Sequence, residues 1–124
     1  MKYFAEINND NRVLRVVEVE NINCLDSDGN HSELIGASYC DSQYYDAVWK
    51  QTYVNGHIRK RFAYSGCEYS EELDAFIPPK PQSKWILDET TCNWVPPIEA
   101  PGIDYVWNDK EGVWEEKEVI ILPE

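Results

Sequence analysis

Near its start the chain carries two apolar runs separated by a polar turn: Tyr3-Phe4-Ala5-Glu6-Ile7, then Asn8-Asn9-Asp10-Asn11, then Arg12-Val13-Leu14-Arg15-Val16-Val17-Glu18-Val19. Asn and Asp tolerate left-handed backbone angles and bond their own backbone, so the pattern predicts a β-hairpin. β-Branched residues at successive positions of the second arm put apolar groups on both faces, which predicts a strand buried on both sides and central in its sheet. Farther on, Ser32 is a fair N-cap, and Leu34, Ile35, Ala37 and Tyr39 suit one short helix over 32–43. Val48–Val54 and Ile58–Tyr64 flank Asn55-Gly56, a dipeptide whose residues readily take positive φ, and this predicts a second hairpin. The expected core comprises Phe4, Ile7, Leu14, Val16, Val17, Leu34, Ile35, Trp49, Tyr53 and Phe62.

The rest of the chain differs in kind. Phe76-Ile77-Pro78-Pro79 recurs as Trp94-Val95-Pro96-Pro97 eighteen residues later. Aromatic residues bracket acidic turns three times, Tyr69 to Phe76, Trp85 to Trp94 and Trp107 to Trp114. These read as three small hairpins in series, because aromatic side chains across a tight turn pair between strands. The proline pairs cannot continue a ladder and force an extended connector. The expected class is α+β, mainly β: an antiparallel, hairpin-rich sheet with one short helix and trailing hairpins, or an open barrel that those hairpins close. The expected organisation is a core over 1–66 and a proline-punctuated extension over 67–124, possible also as one continuous domain.

Length and charge narrow the function. With 124 residues, 43% of them hydrophobic, the chain suffices for one domain. Its longest aliphatic run is Val119–Leu122, against roughly 20 residues for a membrane span, and Met1-Lys2 leads into a strand-like stretch with no expected targeting segment. A net charge of -12 repels phosphates and anionic lipid, which argues against nucleic-acid and membrane partners. Residues 1–62 hold seven basic and nine acidic side chains, and 63–124 hold four and fourteen, so the acidity lies in the second half. Arg59-Lys60-Arg61 therefore reads as a solvated edge or an intramolecular partner of that half rather than a nucleic-acid patch.

Candidate chemistry is sparse. Cys24, Cys40, Cys67 and Cys92 form no closely spaced pair and His31 and His57 are far apart, so no zinc site is expected; the thiols read as reduced and buried, with a Cys24–Cys40 bridge the plausible exception. Asp26-Ser27-Asp28-Gly29-Asn30 invites calcium, yet its glycine and twelfth position do not match an EF-hand loop, which favours a polar turn. Asn30-His31-Ser32 fits a glycosylation sequon, without a secretory route to use it. Glu71-Glu72 and Glu115-Glu116 could serve a glycosidase only if they faced each other across a cleft. No nucleophile, phosphate-binding or metalloprotease motif is present in the sequence, so no enzyme and no cofactor are expected.

The run Arg61-Phe62-Ala63-Tyr64-Ser65-Gly66-Cys67-Glu68-Tyr69-Ser70, then Leu73–Pro81, Trp85-Ile86-Leu87-Asp88, Trp94 and Pro96-Pro97 resembles small proteins of tailed bacteriophages, above all marine and cyanobacterial phages. The opening hairpin also looks like the start of many phage tail-associated proteins, and the likeness covers roughly residues 1–114. The resemblance implies a virion or virion-associated structural protein made in the host bacterial cytoplasm, in the capsid surface, neck, tail or fibre, binding other virion proteins in symmetric copies. The expected contact residues are Phe76, Ile77, Pro78, Pro79, Trp94, Val95, Pro96 and Pro97, with Val119, Ile120, Ile121 and Leu122 near the chain end. Two other readings stay open: an acidic regulator that occupies the basic groove of a host nucleic-acid enzyme, and a module that stacks glycan on Trp85, Trp94, Trp107 or Trp114.

Overall fold

The structure is a computed structural model that describes residues 1–117. The chain divides into two compact units, Met1–Pro79 with Glu89–Asn93, and Lys80–Asp88 with the chain from Trp94 onward. The first unit runs past residue 66 to Pro79, because the first hairpin of the series buries Tyr69, Ala75, Phe76 and Ile77 within it. Among the described residues the fold is α+β and mainly β, with open antiparallel sheets, one α-helix and one 3-10 turn at Asn21–Cys24.

The first unit is built on β1 (Lys2–Ile7), β2 (Val13–Val19) and β3 (Val48–Thr52), in the order β2-β1-β3. The β1–β2 hairpin forms where expected: Asn8 Oδ1 accepts from the amides of Asp10 and Arg12, both at 2.9 Å, and Asn11 takes a φ of 61°. The strand expected at the centre is an edge, however, and β1 is central. Burying both faces of a strand is distinct from pairing both its edges. Val17 and Val19 pack with Phe4, Trp49 and two cysteines under helix α1 (Glu33–Gln43), while Val13 and Val16 pack on the opposite face.

Three expected core residues are exposed, each for a local reason. The register steps from Glu6↔Arg15 to Ile7↔Val13, so Leu14 is the extra residue of a β-bulge and turns outward. Helix α1 lies on the sheet through its smallest residues, with Gly36 and Cys40 buried, so Leu34 and Ile35 face away. Ser32 caps the helix, accepting from the Ile35 amide at 3.3 Å. Tyr53 and Phe62 are half-buried.

The expected hairpin around Asn55-Gly56 does not form. The turn is present, with Gly56 N–H donating to Tyr53 O at 2.8 Å, but β3 pairs with β1 and residues 58–64 make no strand. Arg59 and Lys60 take left-handed backbone angles, φ 61° and 73°, which a ladder cannot contain. Side chains replace the missing strand: Gln51 N–H donates to Glu33 Oε1 and Gln51 O accepts from Arg59 Nη1, both at 2.8 Å, and Ala63 N–H donates to Thr52 Oγ1 at 2.7 Å.

The three aromatic hairpins are all present: β4 (Glu68–Ser70) with β5 (Ala75–Ile77), β6 (Ile86–Asp88) with β7 (Asn93–Val95), and β8 (Tyr105–Asn108) with β9 (Val113–Glu116). Tyr69 faces Phe76 and Trp107 faces Trp114, with ring centroids 5.5 and 5.3 Å apart. Leu87, not Trp85, occupies the equivalent place before Trp94. A left-handed residue stands two positions before the second aromatic each time: Asp74 (φ 46°), Cys92 (57°) and Gly112 (69°). The turn is capped in like manner, Ser70 Oγ accepting from Leu73 N–H at 3.1 Å and Asn108 Oδ1 from Glu111 N–H at 3.0 Å. The repeat is thus one of backbone geometry as well as composition.

Candidate partner-binding site

The basic triplet is absorbed by the first unit. Arg59 has a side chain nine-tenths buried, and it donates to Glu33 Oε1 at 2.5 Å and Oε2 at 3.2 Å, to Asp74 Oδ1 at 2.8 Å and to Gln51 O. Burial works against its charge, but Glu33 and Asp74 overcome this and raise its pKa. Asp74 also accepts from the Tyr69 hydroxyl at 2.5 Å, and that bond, followed by the Arg59 bond, lowers its pKa. Burial, reinforced by Asp74, pushes the Tyr69 phenol up to about 12. Lys60 donates to Thr90 O at 2.9 Å, while Arg61 donates to Phe76 O, Thr91 O, Cys92 O and Asn93 Oδ1 at 2.8, 3.2, 2.6 and 3.0 Å. The triplet does serve the acidic half, but mostly through backbone carbonyls rather than carboxylates.

Other sequence candidates are also committed to the chain itself. Asp26 Oδ1 accepts from the amides of Asp28 and Asn30 at 3.0 and 2.9 Å, a polar turn closing on itself. His31 Nε2 and Gln51 Oε1 are hydrogen-bonded at 2.7 Å, and the ring of His57 bonds Asn55. Glu71 and Glu72 sit in the exposed first turn, and Glu115 accepts from Asn108 Nδ2 at 2.7 Å. Each of the four cysteines is a buried free thiol, and burial pushes Cys40 up to about 11. The Trp107 and Trp114 rings meet edge to face and their N–H groups donate to Asp109 Oδ1 at 2.9 Å and Ile98 O at 2.6 Å, so these half-buried indoles pair across a hairpin.

The expected contact residues divide. Phe76 and Ile77 are buried in the first unit's own core and offer no surface; Pro78 is half-buried and Pro79 exposed. In the second copy of the motif Trp94, Val95 and Pro96 are half-buried and Pro97 is exposed, followed by exposed Ile98. Lys80 Nζ stands 5.3 Å from the Trp94 ring centroid, over its face. The second unit fixes the segment before β6 through Asp109, whose carboxylate accepts from the Ser83 hydroxyl and, at 2.9 and 3.0 Å, from the amides of Ser83 and Lys84. The Ser83 hydroxyl and then the Trp107 indole hold the Asp109 carboxyl far below its usual range. Val119, Ile120, Ile121 and Leu122 lie outside the described residues.

Sequence reasoning missed a polar cluster at the open end of the helix. Buried Glu6 accepts from Arg15 Nε at 2.8 Å and from the Tyr45 hydroxyl, and the Arg15 guanidinium lies 4.6 Å from the Tyr44 ring centroid and 5.9 Å from those of Tyr45 and Trp49. Burial pushes the Glu6 carboxyl up, but the Tyr45 and Arg15 bonds more than offset it and leave its pKa lowered. The hairpin register could have paired Glu6 with Arg15; nothing local in sequence brings Tyr44 and Tyr45 to them. No helix among the described residues is long and apolar enough to cross a membrane. Compared with protein-family models, curated proteins and solved structures, the chain matches none.

Proposed function

We propose that the chain is a non-enzymatic structural or accessory protein of a tailed-phage particle, made in the host bacterial cytoplasm and held in the virion by contacts with other virion proteins in symmetric copies. The observation that carries this reading is the Pro-Pro segment of the second unit: Trp94 to Ile98 leaves an edge strand, cannot continue a ladder at Pro96-Pro97, and presents a half-buried to exposed apolar surface. Two-stranded hairpins are marginal in water, so a neighbouring subunit that covers this surface would stabilise them. The setting is what the resemblance read in the sequence over residues 61–97 implies. Support for a non-catalytic role comes from the polar groups gathered around Arg59, Glu6 and Asp109, whose hydrogen bonds close on the chain itself.

Replacing Pro96-Pro97 with Ala-Ala tests the reading. Incorporation into particles falls by more than the loss of melting temperature of the free chain accounts for. Unchanged incorporation of the folded variant would leave these prolines as spacers and remove the segment from the interface.

A further inference from the structure

At the C-terminal end of α1, on the first unit, a half-open cavity of about 440 Å³ is lined by Glu18, Glu20, Asn23, Tyr39, Gln43 and Tyr44. Its volume falls in the range of ligand-binding clefts, roughly 300–1,000 Å³. Most of the groups that line it favour positive charge. Neither Glu18 nor Glu20 takes part in an ion pair among the described residues, and both are exposed. The last turn of α1 contains no basic residue, and the Arg15 guanidinium that lies against its C-cap Tyr44 is paired with Glu6, so the partial negative charge of the helix end favours a further cation. Asn23 and Gln43 add amide oxygens, and two tyrosine rings add π-faces. The Tyr44 ring already holds the guanidinium of Arg15 at 4.6 Å, which shows the stacking geometry, and Tyr39 is the lining ring with no cation stacked on it among the described residues.

We propose that this cavity binds an arginine side chain of a partner protein. Arginine fits better than lysine because its planar guanidinium can stack on a phenol ring while its N–H groups fork onto a carboxylate. The chain's net charge of -12 draws such a partner in and disfavours a second copy of the chain as the occupant. The inference deepens the partner-binding reading above and supplies the chemistry of one contact.

An NMR titration of the isolated chain with N-acetyl-glycyl-arginyl-glycinamide tests it without particles, so its failure would leave the particle measurement standing. Amide shifts are expected at residues 18–20, 23, 39, 43 and 44, with none from the uncharged citrulline analogue. The E18Q/E20Q double variant binds about tenfold more weakly, as two partly exposed ion pairs would predict. Gln43→Lys, which sets a cation in the cavity and suits a helix C-terminus, abolishes the shifts while the fold is kept. The control double variant E71Q/E72Q, in the exposed turn of the first hairpin, binds as wild type. Equal weakening in E71Q/E72Q would reduce the effect to general charge attraction and overturn the proposal, as would absent shifts or displacement of the peptide by calcium at the same residues.

Discussion

Replacing Arg59 by alanine and, separately, by glycine divides what its side chain contributes from what its backbone costs. The guanidinium is nine-tenths buried and makes bonds to Glu33, Asp74 and Gln51 O. Buried bonds to charged partners are worth about 1.5–3 kcal/mol each. Here the side chains of Glu33 and Asp74 are 34% and 58% exposed, so water recovers much of their solvation and each contact falls toward about 1 kcal/mol. Leaving Gln51 O without its donor adds about 1 kcal/mol, which sets the expected loss for Arg59→Ala at about 3 kcal/mol. Alanine keeps the strain of φ 61°, whereas glycine relieves it, so Arg59→Gly loses about 1 kcal/mol less. Urea unfolding followed by circular dichroism reads both differences. The pH dependence supplies a further check, since the Asp74 pKa is lowered by Tyr69 and Arg59 in the folded state. Stability from such a group is complete above the ordinary carboxylate pKa of about 4 and is lost as pH falls through the lower folded value. The gap between wild type and Arg59→Ala therefore narrows below about pH 4. An Arg59→Ala variant within about 0.5 kcal/mol of wild type, or one equal to Arg59→Gly, would refute the view that this residue stands in for a strand.

A Cβ at Gly36 would lie 2.8 Å from Phe4 Cε1 and 2.9 Å from Cys24 Sγ, so Gly36→Ala costs about 1–3 kcal/mol in the same assay, and a neutral result would contradict the close helix–sheet contact. The four buried thiols resist a thiol reagent at pH 8 in the native chain, and four equivalents react in denaturant; two equivalents would reveal a Cys24–Cys40 bridge. Trp114→Phe removes the exciton signal that the Trp107–Trp114 pair gives in circular dichroism and costs about 1 kcal/mol, whereas a retained signal would place the pair elsewhere.

The elements that sequence exposes are those whose stability is local. The asparagine turn after Ile7, the Ser32 cap and the three small hairpins each carry cause and effect within a dozen residues, and each forms where it was expected, the second with Leu87 in the place expected for Trp85. The errors arise where a distant group decides. Asn55-Gly56 does make its turn, but the second arm is diverted by Glu33, Asp74 and the carbonyls of 90–93, none of which is near it in sequence. The two Pro-Pro motifs look alike in sequence, yet the first follows residues buried in the core of the first unit and the second follows half-buried ones. The cavity at the helix end was illegible for the same reason. Its carboxylates come from the end of β2 and its rings from α1 and the residue beyond, so only tertiary packing joins them.

Quantitative mass spectrometry of phage particles purified through a density gradient, compared with the infected-cell lysate, tests the central claim most directly. The account predicts that the chain co-purifies with the particles at a fixed ratio to the major structural proteins, in a copy number compatible with capsid, neck or tail symmetry. A chain abundant in the lysate and absent from the purified particles would contradict it.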